Sequence, residues 1–347
     1  MQAILTVTTP FFALVLAGYL AGRRHVLPES AIPGLNAYVL YFALPCLLFR
    51  FGMGTPVLQL LNPFVLAVYL LCALAVVFLT IAVTLGGGVQ TRRPAGLDEP
   101  SPPPMEAKKQ RPGVSLKDAS FGALVAAFPN TGFMGVPLLV ALLGPAAAGP
   151  AICTILADLV ITSSLCIALA QMHGVAQQGA RAALARALRG VLVNPLPWSI
   201  ALGAAFSVAE IGLPGPLQSA IGMLADSASP VALFTIGTVL WRASQHAHTR
   251  TPVERYLPVA LIKLIVHPLL VLMLGAAARH LGAPLSAFQL LVITLVAALP
   301  SASNVSLLAE RYGADNGRIA RIIMSSTVLA FVSFTSIAWL LGVQAKG

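Results

Sequence analysis

The sequence predicts an all-α polytopic membrane protein, in which ten transmembrane helices form two inverted five-helix repeats. Its 347 residues are 58% hydrophobic and only 9% charged, and the mean hydropathy is +0.87. A water-soluble globule of this length needs far more polar surface than this composition supplies. Ten long apolar runs and a duplicated pair of sequence patterns complete the prediction.

The apolar runs are long enough to cross a hydrocarbon core of about 30 Å, which takes about 20 helical residues. We expect the ten spans at 3–22, 30–51, 63–87, 118–144, 147–171, 193–212, 217–240, 256–279, 286–310 and 317–342.

An internal duplication relates the two halves of the chain. Residues 124–129 read LVAAFP and residues 295–300 read LVAALP, while ALPCLLF at 43–49 matches ASPVALF at 228–234. The two pairs occur in the same order in each half, which indicates two copies of one unit. Five spans per copy is an odd number, so the second copy must lie upside down in the membrane relative to the first.

The duplication also defines the domain organisation. The first repeat comprises residues 1–87 and 118–171, and the second comprises residues 193–347. Residues 88–116 contain SPPP, charges of both signs and few apolar side chains, so we expect a disordered cytoplasmic loop inserted into the first copy. Residues 172–192 are expected to form a cytoplasmic linker between the repeats.

Basic residues are distributed unequally between the two sides of the predicted bundle. Of the 21 lysines and arginines, 17 lie in connections on one side and Lys263 lies within a span. Only Arg50, Arg279 and Lys346 lie on the other side. Positively charged connections stay in the cytoplasm, so both termini are expected to be extracytoplasmic in a multi-pass protein of the plasma membrane, the inner membrane in bacteria.

Composition argues against several other classes of protein. The net charge of +10 is spread over short connections and forms no basic stripe interleaved with aromatic residues, so we expect no nucleic acid partner. The four cysteines fall in apolar runs, where thiols act as small hydrophobic groups, and none forms a CxxC pair. The sequence also has no nucleotide-binding P-loop. We therefore expect neither a metal nor another cofactor.

Two predicted spans are interrupted near their middles. In the fourth, AAFPNTGFMGVPLL combines a proline that lacks a backbone donor with glycines that weaken a helix. The ninth is interrupted at the corresponding place by a proline followed by SASN. Backbone groups freed at such breaks need partners, which only protein or water can supply within a membrane. The candidate binding residues at the breaks are Pro129, Asn130, Thr131, Gly132, Pro300, Ser301, Ser303 and Asn304.

A small anion suits these breaks. The half-helix after each break begins near the midplane, so free N–H groups and the positive ends of two helix dipoles converge there. The amides of Asn130 and Asn304 can donate hydrogen bonds to a carboxylate without placing a permanent charge in the membrane. The alternative interpretation is that both prolines only kink helices packed on their neighbours.

Four ionisable residues lie deep within predicted spans: Asp158, Asp226, Lys263 and His267. Such residues are costly in lipid, so all four are candidates for proton coupling, with a buried aspartate as the proton carrier. Lys263 and His267 are four residues apart and share one helix face. The alternatives are a structural polar contact or salt bridge for each aspartate, a snorkelling Lys263 and a hydrogen-bonded interior His267.

The segment from Pro129 to Pro137, PNTGFMGVP, resembles the N-x-G-[FY]-x-G-x-P signature of the auxin efflux carrier family. Members of this family include plant PIN auxin exporters and bacterial malate and malonate permeases. The resemblance extends over the whole chain: ten spans, a variable loop after the third, and prolines in the fourth and ninth. Asn130 corresponds to the family's crossover asparagine, whereas Asn304 lies one helical turn past Pro300 and fits the pattern less closely.

The resemblance implies a fold similar to that of the bile-acid sodium symporters, with the fourth and ninth helices crossing at their prolines. It also implies a scaffold of spans 1, 2, 6 and 7 that is able to form a homodimer. The other six spans are implied to move past this scaffold in the manner of an elevator.

These observations predict a secondary active or facilitative transporter of a small organic anion, a carboxylate such as malonate or malate, bound where the two broken helices cross. A sodium- or proton-coupled symporter of another solute on the same fold is the alternative. A remote alternative is an intramembrane enzyme, since two aspartates lie deep in spans, but neither has a GxGD context and HExxH and GxSxG are absent. We therefore expect no enzymatic activity, and we expect membrane lipid as the partner besides the substrate.

Overall fold

The structure is a computed structural model that describes residues 1–86, 114–172, 192–245 and 251–343. Nearly all of the predicted loop and linker therefore lie outside the described residues. The elements that are described are helices and the turns between them. In chain order the main helices are Gln2–Arg23 (α1), Ala31–Gly54 (α2), Pro63–Gly86 (α3), Leu116–Ala127 (α4), Thr131–Leu143 (α5), Pro145–Ala170 (α6), Pro195–Val208 (α7), Gly215–Gln245 (α8), Leu257–His280 (α9), Ala287–Ala297 (α10), Val305–Arg311 (α11) and Asn316–Leu340 (α12).

Seven of these helices are long and apolar enough to cross a membrane: α1, α2, α3, α6, α8, α9 and α12. This confirms the predicted all-helical, multi-pass membrane protein. The predicted spans at 118–144 and 286–310 are instead pairs of shorter helices, α4 with α5 and α10 with α11, and α7 has 14 residues. The count of ten spans and their inverted arrangement remain predictions.

Local sequence signals explain where three central helices begin. Ser115 caps α4, because its hydroxyl accepts a hydrogen bond from the N–H three residues later. Ser286 caps α10 in the same way and forms a reciprocal capping box with Gln289. Asp315 caps α12 with its carboxylate. Each cap satisfies a donor that the first turn of a helix otherwise leaves without a partner.

The helices pack in two groups. In the first, α1 packs along α8, α2 packs along α7, and α8 also contacts α2. Gly18 and Gly237 lie where α1 meets α8, and Gly52 and Gly203 lie where α2 meets α7. A Cβ at any of these four positions would strike backbone atoms of the facing helix, so glycine allows the close approach. In the second group the remaining helices surround α4 and α10, and residues 119–127 of α4 are all buried.

Arg318, near the start of α12, forms hydrogen bonds to several elements at one end of the second group. It is 2% exposed. Its Nε donates to the carbonyl of Arg255 (2.8 Å), Nη1 donates to the carbonyl of Asp118 (2.9 Å), and Nη2 donates to the hydroxyl of Thr84 (3.3 Å). A Cβ on Gly122 would lie 2.8 Å from Nη1, so that glycine makes room for the guanidinium. The arginine thereby joins α3, α4, α12 and the turn before α9.

We expect Arg318→Lys to lower the thermal stability of the protein. A lysine amine cannot reach the three acceptors that the planar guanidinium holds at once. Each lost bond from a charged donor is worth about 1.5 to 3 kcal/mol. The measurement is the unfolding temperature of the purified protein in detergent, with Arg311→Lys at an exposed position as the control. Equal unfolding temperatures for the two variants would contradict a stabilising role for Arg318.

Candidate functional site

The two helix breaks predicted from the prolines meet each other. The N–H of Asn130 donates to the carbonyl of Pro300 (2.8 Å), and the N–H of Ala302 donates to the carbonyl of Phe128 (3.0 Å). These two bonds form a short antiparallel bridge between the break after α4 and the break after α10. Each break therefore supplies partners for backbone groups that the other has freed, as buried backbone requires.

A glycine lies where the second break packs against the start of α5. A Cβ on Gly135 would lie 2.5 Å from a methyl carbon of Leu299. A side chain at position 135 would therefore require the side chain of Leu299 to shift.

Four backbone donors at the breaks keep no acceptor among the described residues. They are the N–H groups of Gly132 and Phe133 at the start of α5, and those of Ser303 and Asn304 before α11. Helix α5 has 13 residues, so its N-terminus also carries the positive end of a helix dipole. The arrangement leaves hydrogen-bond donors available beside Asn130 for an acceptor from outside the chain.

A small open cleft lies beside these donors. Asn130 is 4% exposed, and its side chain makes no hydrogen bond within the described part of the chain. The Oδ1 atom of Asn304 is buried and also has no partner there. The cleft is lined by Leu44 and Leu48 of α2, Leu196 of α7, Ile155 and Leu159 of α6, and the break residues Phe128, Pro129, Asn130, Gly132, Phe133, Ala302 and Asn304.

Four of the eight predicted binding residues thus line the cleft: Pro129, Asn130, Gly132 and Asn304. The other four, Thr131, Pro300, Ser301 and Ser303, are adjacent to them in the chain but are not among the lining residues. Their contribution to binding remains a prediction.

Thr131 and Ser301 have fully or almost fully buried side chains whose hydroxyls lack a partner in the described structure. The backbone of Ser301 is fixed by its N–H, which donates to the hydroxyl of Ser326 on α12 (3.2 Å). The carbonyl of Ser303 accepts from the hydroxyl of Ser306 (3.0 Å). These contacts hold the second break against α12 and α11.

A buried polar cluster lies behind the breaks, among α3, α6 and α9. The hydroxyl of Tyr69 donates to Oδ2 of Asp158 (2.7 Å), and the hydroxyl of Thr162 donates to Oδ1 (3.1 Å). All three side chains are fully buried. Asp158 begins a π-helical turn that ends at Thr162, and such turns occur frequently at functional sites.

Lys263 and His267 form the other half of the cluster. Lys263 is fully buried in a second π-helical turn, and its ammonium donates to the carbonyl of Ala297 (2.8 Å), the last residue of α10. The same nitrogen lies 3.2 Å from Nδ1 of His267, whose Nε2 has no partner in the described part of the chain. Lys263 therefore does not snorkel, and its amine lies at the C-terminal end of a helix, where a cation is favoured. The rings of Tyr69 and His267, 5.8 Å apart, connect the two halves.

Asp226 lies apart from this cluster. Its side chain is 71% exposed, and its Oδ1 accepts from Nη1 of Arg50 on α2 (2.7 Å). The next residue, Ser227, shares a hydrogen bond with Tyr38 (2.7 Å). The contacts of Asp226 therefore fit the salt-bridge interpretation. Of the four ionisable candidates, the structure brings together three: Asp158, Lys263 and His267.

Sequence reasoning did not identify Tyr69, Thr162 or the carbonyl of Ala297 as partners of the ionisable residues. Tyr69 and Thr162 lie in apolar runs where an aromatic ring or a hydroxyl is common. The π-helical turns have no sequence signal that separates them from ordinary helix.

Comparison with known proteins gives a family and several relatives. A family model described as membrane transport protein matches residues 3–91 and 113–338. A protein named "Putative malonate transporter" from Rhizobium meliloti (strain 1021) is 27% identical over 342 residues, covering 98% of this chain and 97% of that protein. An uncharacterized transporter from Methanothermobacter thermautotrophicus is 26% identical over 92% of both chains. The uncharacterized transporter YfdV from Escherichia coli K12 is 22% identical over 93% of this chain and 92% of its own length.

Proposed function

This chain belongs to the membrane transport protein family, the auxin efflux carriers, and from that premise we propose that it is a secondary active or facilitative transporter of a small organic anion. The substrate is a carboxylate such as malonate or malate, bound in the cleft beside the paired helix breaks. The observation that carries the proposal is the amide of Asn130, which is nearly buried, faces the cleft and has no hydrogen-bond partner in the described structure. The name of one relative makes malonate the first substrate to test.

The chemistry of the cleft supports an anion. Gly132, Phe133 and Asn304 each bring a backbone N–H that lacks an acceptor in the described structure, and Asn130 adds an amide. Neutral donors satisfy a carboxylate in a poorly hydrated site without the cost of burying a permanent charge when the site is empty. Each of the two asparagine side chains carries an NH2 group that can donate to a carboxylate.

We further propose the ten-span arrangement, with spans 4 and 9 formed by the broken pairs α4–α5 and α10–α11. An inverted repeat relates α1 to α7 and α2 to α8, so it relates the glycine-mediated pair α1–α8 to the pair α7–α2. The presence of both pairs supports the arrangement.

An elevator movement fits the position of the cleft. Leu44, Leu48 and Leu196 come from the first helix group, whereas Asn130 and the other lining residues come from the second. Sliding of the second group past the first would expose the donors alternately on the two sides of the membrane. In this proposal α1, α2, α7 and α8 form the static scaffold, through which two copies of the chain could associate.

The alternative of an intramembrane enzyme was based on two aspartates deep in predicted spans, and the structure places these two residues in different environments. A two-aspartate centre needs both carboxylates in one site, but Asp158 is fully buried and Asp226 is 71% exposed in a pair with Arg50. We propose that the protein is not an enzyme. Within the transport proposal, the buried Asp158 makes protons the first coupling ion to test, before sodium.

The proposal is tested by uptake and counterflow in proteoliposomes containing the purified protein, over a panel of mono- and dicarboxylates. Imposed pH and sodium gradients, applied separately, report coupling. We expect saturable counterflow of at least one small carboxylate, with empty liposomes as the control. Absence of counterflow across the panel, from protein shown to be folded, would exclude organic anion transport.

We propose that both termini are extracytoplasmic, and accessibility of introduced cysteines tests this. Glu29→Cys, between α1 and α2, should resist an impermeant thiol reagent applied outside intact cells, whereas Leu281→Cys, between α9 and α10, should react. Both positions are exposed, and Leu281 is 89% exposed. Three native cysteines are buried, so a Cys46→Ser background limits unspecific labelling. The reverse labelling pattern would invert the topology.

A further inference from the structure

The cleft beside Asn130 offers neutral donors, and none of its described lining residues has a charged side chain. Among its lining residues only Asn130 and Asn304 have polar side chains, and the rest are leucine, isoleucine, phenylalanine, alanine, proline and glycine. Both walls are apolar: Leu44 and Leu48 on one helix group face Ile155 and the breaks on the other.

Three charged side chains of the surrounding helices have partners outside the cleft. The carboxylate of Asp158 is held by Tyr69 within the buried cluster, and Lys263 donates to the end of α10. Arg50, the basic residue of α2, pairs with Asp226. The cluster behind the breaks contains the acid Asp158, the amine of Lys263 and the imidazole of His267, and none of the three lines the cleft.

We propose that the cleft binds its substrate as a monoanion, with one carboxylate on the donors around Asn130 and an uncharged body against the leucine walls. This inference rests on the proposed anion transport and adds the charge state that the site accepts. A dicarboxylate such as malonate then enters in its singly protonated form. A second carboxylate would lie against Leu44, Leu48 and Leu196 without a donor, and an unpaired charge in an apolar environment is strongly disfavoured.

The charge state of the substrate has a consequence for energy coupling. Malonate is a dianion at neutral pH and takes up one proton in mildly acidic solution. If the singly protonated form is carried, each substrate moves one proton with it. Uptake of a dicarboxylate then responds to a pH gradient even where no group of the protein releases a proton.

The test compares malonate with its half-ester monomethyl malonate, which keeps one carboxylate and nearly the same size at every pH. Counterflow of each labelled compound is measured in proteoliposomes at neutral and mildly acidic pH. We expect the half-ester to be bound at least about tenfold more tightly than malonate at neutral pH. The reason is that an unpaired second carboxylate against the apolar wall lowers the affinity by more than a factor of ten. The apparent affinity for malonate should rise as the pH falls, whereas that for the half-ester should not.

Two results overturn the inference while leaving anion transport intact. They are tighter binding of malonate than of the half-ester at neutral pH, and an affinity for malonate that does not change with pH. If neither compound nor any other carboxylate shows counterflow, the proposed function itself fails and the inference fails with it.

A variant that adds a positive charge tests independently where the body of the substrate lies in the cleft. Leu196→Arg places a cation on the α7 wall of the cleft, and Leu196→Met is the matched control. We expect the arginine variant to shift the ratio of affinities toward malonate by about tenfold at neutral pH relative to the control. An unchanged ratio in a folded arginine variant would overturn the placement of the substrate body against Leu196. If the arginine variant does not fold, the half-ester comparison in the wild-type protein decides.

Discussion

Asn130→Ala should abolish most transport while expression and folding stay at the wild-type level. The side chain makes no hydrogen bond within the described structure and faces the cleft, so its removal breaks no internal hydrogen bond there. The backbone N–H of residue 130 still donates to Pro300, so the paired breaks remain. A hydrogen bond to a charged group is worth about 1.5 to 3 kcal/mol, which corresponds to about a 10- to 100-fold loss of affinity. The measurement is counterflow of the best carboxylate in proteoliposomes.

Asn130→Asp should be worse than the alanine variant, because it places a negative charge beside the bound carboxylate. The matched control is Asn36→Ala on α2, which removes an asparagine that does not line the cleft and should leave transport unchanged. Wild-type counterflow by both variants at position 130 would remove Asn130 from the site.

The helix breaks and the candidate role of Asn130 could be predicted from the sequence because they follow from local chemistry. A proline without an N–H, followed by an amide side chain within an apolar run, freed backbone groups that had to find partners. The structure then pairs Asn130 with Pro300, 170 residues away, and the duplicated LVAAFP and LVAALP patterns already placed the two breaks at matching positions.

The hydrogen-bond partners of the buried ionisable side chains could not be predicted from the sequence. Asp158 meets Tyr69 over a separation of 89 residues, and Lys263 uses a backbone carbonyl that any residue at 297 would offer. The walls of the cleft are leucines, which no pattern separates from the other leucines of the spans. Asp226 looked deep by its position along α8, but exposure depends on which face of the helix it occupies, and that is fixed by packing.

Asp158 is the better candidate for a proton carrier because of where it lies in the proposed mechanism. It belongs to α6, in the helix group proposed to move, and it is adjacent in sequence to Leu159, which lines the cleft. Asp226 belongs to α8 of the proposed scaffold, so its environment need not change during transport. Its ion pair with Arg50 lies at the surface of the structure, with side chains 71% and 40% exposed, respectively.

Asp158→Asn should therefore abolish accumulation driven by a pH gradient while counterflow of substrate persists. An asparagine keeps the size of the side chain and can still meet Tyr69 and Thr162, but it cannot release a proton, and exchange across the membrane does not require that release.

The measurement uses monomethyl malonate, or another carboxylate that stays singly charged, so that the substrate itself carries no titrating proton. Asp226→Asn is the matched control and should keep pH-driven accumulation. If wild-type flux of such a substrate follows substrate and voltage gradients alone, with no response to imposed proton or sodium gradients, the protein itself carries no coupling ion and the contacts of Asp158 serve only to join α3 to α6.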